Sequence, residues 1–161
     1  MSDKGSLPVT INRMKKADLP EIIAIERESF STPWTMGMFH HEIESEHSRC
    51  LCARINDSDR STVAGYIIFW LIADEVHLHN LAVGKKYRRQ GLAWTLMETM
   101  KKIGGKNEAV VQTLEVRKSN IEAITLYQKC GFVVKGIRPL YYVDTKEDAL
   151  IMWADINPAG K

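Results

Sequence analysis

The segment from Leu81 to Ala93, LAVGKKYRRQGLA, holds the residue types best suited to binding chemistry. An apolar strand ends at Val83, a short basic turn follows, and Gly91 stands where a helix should begin. Leu92, Leu96, Met100 and Ile103 then recur at the spacing of a buried helical stripe. Such a turn brings backbone N–H groups, the positive end of a helix, Arg88 and Arg89 to one spot. That combination suits a phosphate or pyrophosphate. Glycine at 91 would let a ligand approach the backbone without meeting a side chain. The segment is neither a G-x-G-x-x-G dinucleotide turn nor a P-loop ending in Gly-Lys-Ser/Thr. On physics alone, an ordinary strand-turn-helix connection with solvated basic residues is an equal alternative.

Other reactive side chains are more ambiguous. Glu115, at the end of a strand, could act as a proton acceptor or pair with Arg117 two residues along on the same face. Tyr127 follows Ile124 on an amphipathic helix, where a tyrosine is ordinarily a core ring with its hydroxyl satisfied. His77 and His79 face one side of a strand, but no third ligand falls at a diagnostic spacing, so no metal is expected. Cys50, Cys52 and Cys130 are an odd count without a C-x-x-C pair, and they read as buried free thiols.

The elements that must position these groups fit one domain. A chain of 161 residues with 45% hydrophobic and 26% charged content is an ordinary globular composition. A net charge of +2 is too small to argue for direct nucleic-acid binding. It would still help collect a polyanion. The longest apolar run, 63–73, is about half of what a bilayer requires. No signal-peptide core opens the chain. A cytoplasmic protein, monomer or weak dimer, without membrane contact is expected. Residues 1–8 read as a flexible N-terminus and 9–157 as the domain.

Strand signals fall at 9–14, 49–55, 63–72, 75–83, 109–116, 132–137 with 141–143, and 148–156. Helices are expected after Asp18 with Glu21 as its capping-box partner, after Thr35, and from Gly91 until Gly104-Gly105-Lys106-Asn107 ends it. A fourth opens at Ser119 with Glu122 and closes at Gly131. The result is an α/β sandwich, a mixed central sheet of about seven strands with about four helices.

Arg88-x-x-Gly91-x-Ala93 after a strand ending in Val83 resembles the acetyl-CoA pyrophosphate loop of GNAT N-acetyltransferases. Leu114-Glu115-Val116-Arg117-x-Ser119-Asn120, Ala123-Ile124-x-Leu126-Tyr127 and Gly131-Phe132 are similar to the RimI-type branch of that family. Ser31-Thr32-Pro33-Trp34, Tyr141-Tyr142 and Glu147 to Met152 sit where that branch has similar residues, so the resemblance runs from about residue 9 to 156. It implies a GNAT fold using acetyl-CoA as co-substrate. The acceptor it implies is a protein N-terminus, that of the alanine opening ribosomal small-subunit protein eighteen.

The resemblance also implies roles. Glu115 would be the general base and Tyr127 the general acid. Leu81, Ala82 and Val83 would offer N–H groups to the acetyl oxygen. Arg88, Arg89, Gln90, Gly91, Leu92 and Ala93 would take the pyrophosphate, with Asn120 on the CoA arm. Trp34, Tyr141 and Tyr142 would wall the acceptor. The chain departs from the pattern in three places: Ala93 replaces a frequent glycine, Gly84-Lys85-Lys86 makes the turn more basic, and His79 stands where an apolar residue is usual. A small-molecule amine acceptor, or a CoA-binding module without catalysis, are the alternatives.

Overall fold

The computed structural model describes residues 8–156, so residues 1–7 of the expected flexible N-terminus lie outside it. Its elements follow the expected order: β1 (Val9–Arg13), α1 (Leu19–Ser29), α2 (Met36–Glu44), β2 (Ser48–Asp57), β3 (Arg60–Ile72) and β4 (Glu75–Val83). These are followed by α3 (Leu92–Lys106), β5 (Val111–Arg117), α4 (Ile121–Lys129), β6 (Val133–Tyr142) and β7 (Glu147–Asp155). The strands form one mixed sheet in the order β1-β2-β3-β4-β5-β7-β6. The α/β sandwich read from the sequence is what the chain adopts.

The period-2 alternation of β3 explains the layering. Tyr66 and Ile68 point into a core shared with Leu19, Ile22, Ile23 and Ile25 of α1 and with Phe39 of α2. Ile67 and Phe69 point the other way, onto Leu96, Met97 and Met100 of α3 and Tyr127 of α4. A strand covered on both faces needs apolar residues at every position, and residues 63–69 of β3 are all buried. Cys50 and Cys52 share the α1 side as buried free thiols, whereas Cys130 is half-buried.

One crossover shapes the functional region. β4 and β5 are parallel and pair only at Glu75–Val111, Val76–Gln112 and His77–Thr113. Beyond that point, among the described residues, β5 pairs with β7 alone and Leu78 to Val83 have no strand neighbour on the β5 side. The sheet therefore opens into a V. A bulge accompanies the opening: Leu78 pairs with Phe69 and Asn80 with Ile68, leaving His79 as the extra residue.

Local details differ from the sequence reading. Asp18 precedes α1, but its carboxylate accepts the Lys15 N–H and pairs with Arg54 instead of capping the helix. Glu21 accepts the Val63 N–H at 2.9 Å. Tertiary partners thus displace the capping box. Asn120 rather than Ser119 caps α4, through Oδ1 on the Ala123 N–H at 3.2 Å, because the Ser119 hydroxyl donates to Glu147. The two segments expected at 132–137 and 141–143 merge into one irregular strand, β6 (Val133–Tyr142), whose pairing slips between Arg138 and Tyr142.

Within the expected closing segment 104–107, α3 runs to Lys106 with Asn107 as its C-cap, and Gly104 lies inside the last turn. A Cβ there would come within 2.6 Å of Val76 Cγ2 and 3.1 Å of Ile156 Cδ1. The glycine lets α3 press against β4, and the helix stops three residues later, at Asn107, with Glu108 at φ 65°. Gly104→Ala gains about 1 kcal/mol of helix propensity but forces this contact apart. We expect a net loss of about 1–3 kcal/mol, read as a lower urea midpoint at unchanged slope. A raised midpoint would show that α3 and Val76 can separate freely.

Candidate active site

The V between β4 and β5 holds a cleft of about 460 Å³. Leu78, His79, Asn80 and Leu81 line it from β4, and Glu115, Val116 and Arg117 from β5. Tyr127 and Asn120 border it at α4, Tyr142 at β6, and Glu26, Phe30, Thr32 and Trp34 on the α1 side. A larger hollow of about 540 Å³ lies between the end of α2 and strands β1 and β2, lined by none of the expected site residues.

Strand geometry decides which backbone groups face this cleft. The Gly84 N–H donates to Ala64 O on β3 at 2.8 Å. Alternation along an antiparallel strand then turns Ala82 toward β3, and Leu81 and Val83 toward the open edge. The Arg88 guanidinium agrees, since its Nε donates to the Val83 carbonyl at 2.9 Å. Of the three expected oxyanion donors, the Leu81 and Val83 N–H groups face outward, while that of Ala82 is directed into the sheet.

The basic turn does more structural work than its sequence suggests. Arg88 also donates to Ser29 Oγ at 3.1 Å, tying the turn to the end of α1 instead of extending outward. Arg89 and Gln90 are exposed. Arg89 at φ 61° and Gly91 at φ 80° are both left-handed, a conformation that turns successive N–H groups to a common side. Among the described residues, the N–H groups of Arg88, Arg89, Gln90 and Gly91 have no protein acceptor. Nothing lies within 4 Å of the Cβ position of Gly91. The Leu92 side chain is buried beside Ile55, Ala64 and Val83, so only its backbone can serve a ligand. Ala93 is half-buried behind it. An anion thus finds a left-handed turn, open space and the positive end of a fifteen-residue helix together.

Across the cleft, Glu115 does not pair with Arg117. Its Oε1 lies 3.6 Å from Arg138 Nη2, and about a third of its side chain is exposed. Arg117 instead forks onto Asp144, with both contacts at 2.9 Å, and stacks 4.1 Å over the Tyr142 ring. Tyr127 is buried against Phe132, with ring centroids 6.0 Å apart. Among the described residues its hydroxyl has no hydrogen-bond partner, yet it is not a sealed polar atom, so it opens onto the cleft. Burial pushes that hydroxyl's pKa well up, and Tyr142 and Cys130 add to the shift. It is protonated at any working pH.

The acceptor-side aromatics divide. Trp34 and Tyr142 line the cleft, and Tyr141 does not; it stands edge-on behind Tyr142 at 5.1 Å. His79 stacks on Trp70 with ring centroids 3.9 Å apart, and partial burial lowers its pKa. His77 is held by Glu75 at 2.8 Å. Among the described residues, no group of three or more His, Cys, Asp or Glu side chains could hold a metal.

Two residues of this site escape the sequence reading. Glu26 sits at the i+7 position from Leu19 on the buried stripe of α1, a place where a charge is a visible anomaly. Asp144 lies in the β6–β7 turn, and its partners Thr32 and Arg117 are distant in sequence. No local pattern reveals such a contact.

A family model for the acetyltransferase (GNAT) family matches residues 19–132. The chain belongs to the GNAT acetyltransferase family. The ribosomal protein bS18-alanine N-acetyltransferase of Escherichia coli (strain K12) is 34% identical over 150 residues, covering 92% of this chain and 98% of that protein. The N-alpha-acetyltransferase RimI of Mycobacterium tuberculosis is 30% identical over 156 residues, covering 92% of this chain and 93% of its own length. The crystal structure of the Escherichia coli ribosomal-protein-S18-alanine N-acetyltransferase superposes with a TM-score of 0.82 at 33% identity. That likeness covers 96% of this chain and 97% of the other.

One contact fastens this acetyltransferase cleft from outside. Thr32 Oγ1 donates to Asp144 Oδ2 at 2.8 Å, joining the α1–α2 loop to the β6–β7 turn. Arg117 and Thr32 hold the Asp144 carboxyl down to about 2. A depressed carboxylate contributes stability above its unfolded pKa near 3.8 and loses it as pH falls through about 2. The Asp144 carboxyl should therefore titrate near 2 by NMR and return toward 3.8 in Arg117→Met. A normal midpoint in the wild-type protein would mean that the fastening is open in solution.

Proposed function

We propose that this protein transfers the acetyl group of acetyl-CoA to the α-amino group of a protein N-terminus. The acceptor we favour is the N-terminal alanine of a ribosomal small-subunit protein. The observation that carries the reading is the cleft itself. A carboxylate, Glu115, and a tyrosine hydroxyl without a partner among the described residues, Tyr127, lie across from the open edge of β4. The names of the relatives at 34% and 30% identity support the same acceptor class.

The cleft residues fit acetyl-CoA. The turn from Arg88 to Leu92 would take the pyrophosphate on its N–H groups, with Arg89 and Gln90 beside it. The exposed edge of β4 would pair with the pantetheine arm, and Asn120 would offer its NH2 group, since its oxygen is used on Ala123. The acetyl oxygen would meet the Leu81 or Val83 N–H, a donor already in place before reaction.

Chemistry then needs a neutral amine and a proton for the departing thiolate. An α-amino group titrates near ~7.8 and a lysine near ~10.4, so at pH 7 about a tenth of the former is neutral, against less than about a thousandth of the latter. Glu115, directly or through a water, takes the proton from the N-terminal ammonium. The amine attacks within the ternary complex, and Tyr127 protonates the CoA sulfur. Burial raises the Cys130 thiol pKa, which disfavours a cysteine-bound acetyl route.

The test uses acetyl-CoA and a short peptide with a free N-terminal alanine, beside the same peptide with a blocked N-terminus and an internal lysine. Mass spectrometry locates the label. Label on the free N-terminus alone is the expected result. Label on lysine would change the acceptor class, and label on neither would send the search to small amines.

A further inference from the structure

We propose that Glu26 is a positioning residue that locks the acceptor wall to the strand carrying the oxyanion donors. The inference builds on the N-terminal acetyltransferase reading, because the acceptor wall is defined by it.

Glu26 is 1% exposed and sits on the α1 face otherwise formed by Leu19, Ile22 and Ile23. An apolar residue there would simply extend the core, whereas a carboxylate must be desolvated and needs partners. It has three, and all of them donate. The Trp34 N–H reaches Oε1 at 3.0 Å, Asn80 Nδ2 reaches Oε2 at 2.9 Å, and the Tyr66 hydroxyl also bonds Oε2. Among the described residues, no lysine, arginine or histidine makes an ion pair with it. Three donors thus occupy both carboxylate oxygens.

The donors come from three separate places. Trp34 belongs to the loop before α2 and lines the cleft. Asn80 lies on β4 between the bulged His79 and the outward-facing Leu81. Tyr66 belongs to the fully buried part of β3. One carboxylate therefore sets the distance between the wall that would receive the acceptor and the strand that would hold the acetyl oxygen. A glutamine in its place has a single acceptor oxygen and turns an NH2 group toward one of the donors. β4 would stay in register through its ladder with β3, so the Trp34 loop is the part released.

The test is steady-state kinetics on Glu26→Gln, Asn80→Asp and the double variant, with the free N-terminal alanine peptide and acetyl-CoA. In Glu26→Gln, kcat/KM for the peptide should fall roughly ten- to a hundredfold, with the KM for acetyl-CoA within about twofold of wild type. The double variant restores an amide–carboxylate bond in reversed direction. The amide oxygen introduced at position 26 still takes the Trp34 N–H, so this variant should recover most of the loss. A lowered Tm with equal effects on both substrates, or a double variant worse than either single one, would overturn the proposal. A second measurement is independent of the acceptor. Hydrogen exchange of the Trp34 amide should rise about tenfold in Glu26→Gln and return in the double variant. Unchanged exchange would also overturn it. A wild-type protein that labels no peptide N-terminus would defeat the acceptor reading, and the exchange data would still decide the role of Glu26.

Discussion

Glu115→Gln should lower kcat with the N-terminal peptide by about 10² at pH 7, leave the peptide KM nearly unchanged, and regain part of that loss as pH rises. The size follows from what the base is asked to do. At pH 7 about a tenth of an α-amine is already neutral, so solution can supply the reactive form without help. Between pH 7 and 9 that neutral fraction rises about sevenfold, and the deficit should narrow by about the same factor. A deficit that stays constant with pH would mean that Glu115 orients the acceptor rather than taking its proton. The substitution is close to isosteric, and the side chain is about a third exposed, so folding should be unaffected. It also frees Arg138, 3.6 Å away, to place an unpaired charge near the ammonium. Glu115→Gln combined with Arg138→Gln separates the two effects: recovery in the double variant would assign the loss to Arg138.

Period and punctuation carry most of the architecture because they depend on neighbours within one turn or one strand. The β3 run, the α3 stripe and Gly131 at φ 91° are of that kind. Local rules fail where a distant partner overrides them. Asp18 and Glu21 have capping-box spacing, but Arg54 and the Val63 N–H take their carboxylates. Gly104 has the look of a helix terminator, but the nearness of Val76 explains it. At the site, Arg88 is basic and well placed by sequence, yet it directs its donors to Val83 and Ser29. The parting of β4 from β5, on which the cleft depends, has no residue pattern of its own. Glu26 escapes the sequence reading although it leaves a local trace, a charge on an apolar stripe. Asp144 leaves none, since 112 residues separate it from Thr32.

Tyr127→Phe should reduce kcat by about 10²–10³ while leaving stability within about 0.5 kcal/mol of wild type. The two halves of that expectation have one cause. The hydroxyl bonds no other described residue, so its removal orphans no partner; the ring, packed on Phe132, remains. The proton it carries is secure, because burial pushes its pKa up rather than down. A thiolate with a pKa near ~8.5 can leave unaided, which keeps the expected loss well short of abolition. The decisive measurement varies the leaving group. With acetyl thioesters of increasingly acidic thiols, the departing sulfur has less need of a proton, and the gap between Tyr127→Phe and wild type should shrink steadily. A gap that ignores thiol acidity would make the hydroxyl a binding contact for the acetyl donor instead. Tyr142→Phe is the internal control: its hydroxyl pKa is pushed up to about 12 by burial, but its ring lies under Arg117. If Tyr142→Phe shows the leaving-group dependence and Tyr127→Phe does not, the general acid is the β6 tyrosine, and α4 serves only to close the cleft.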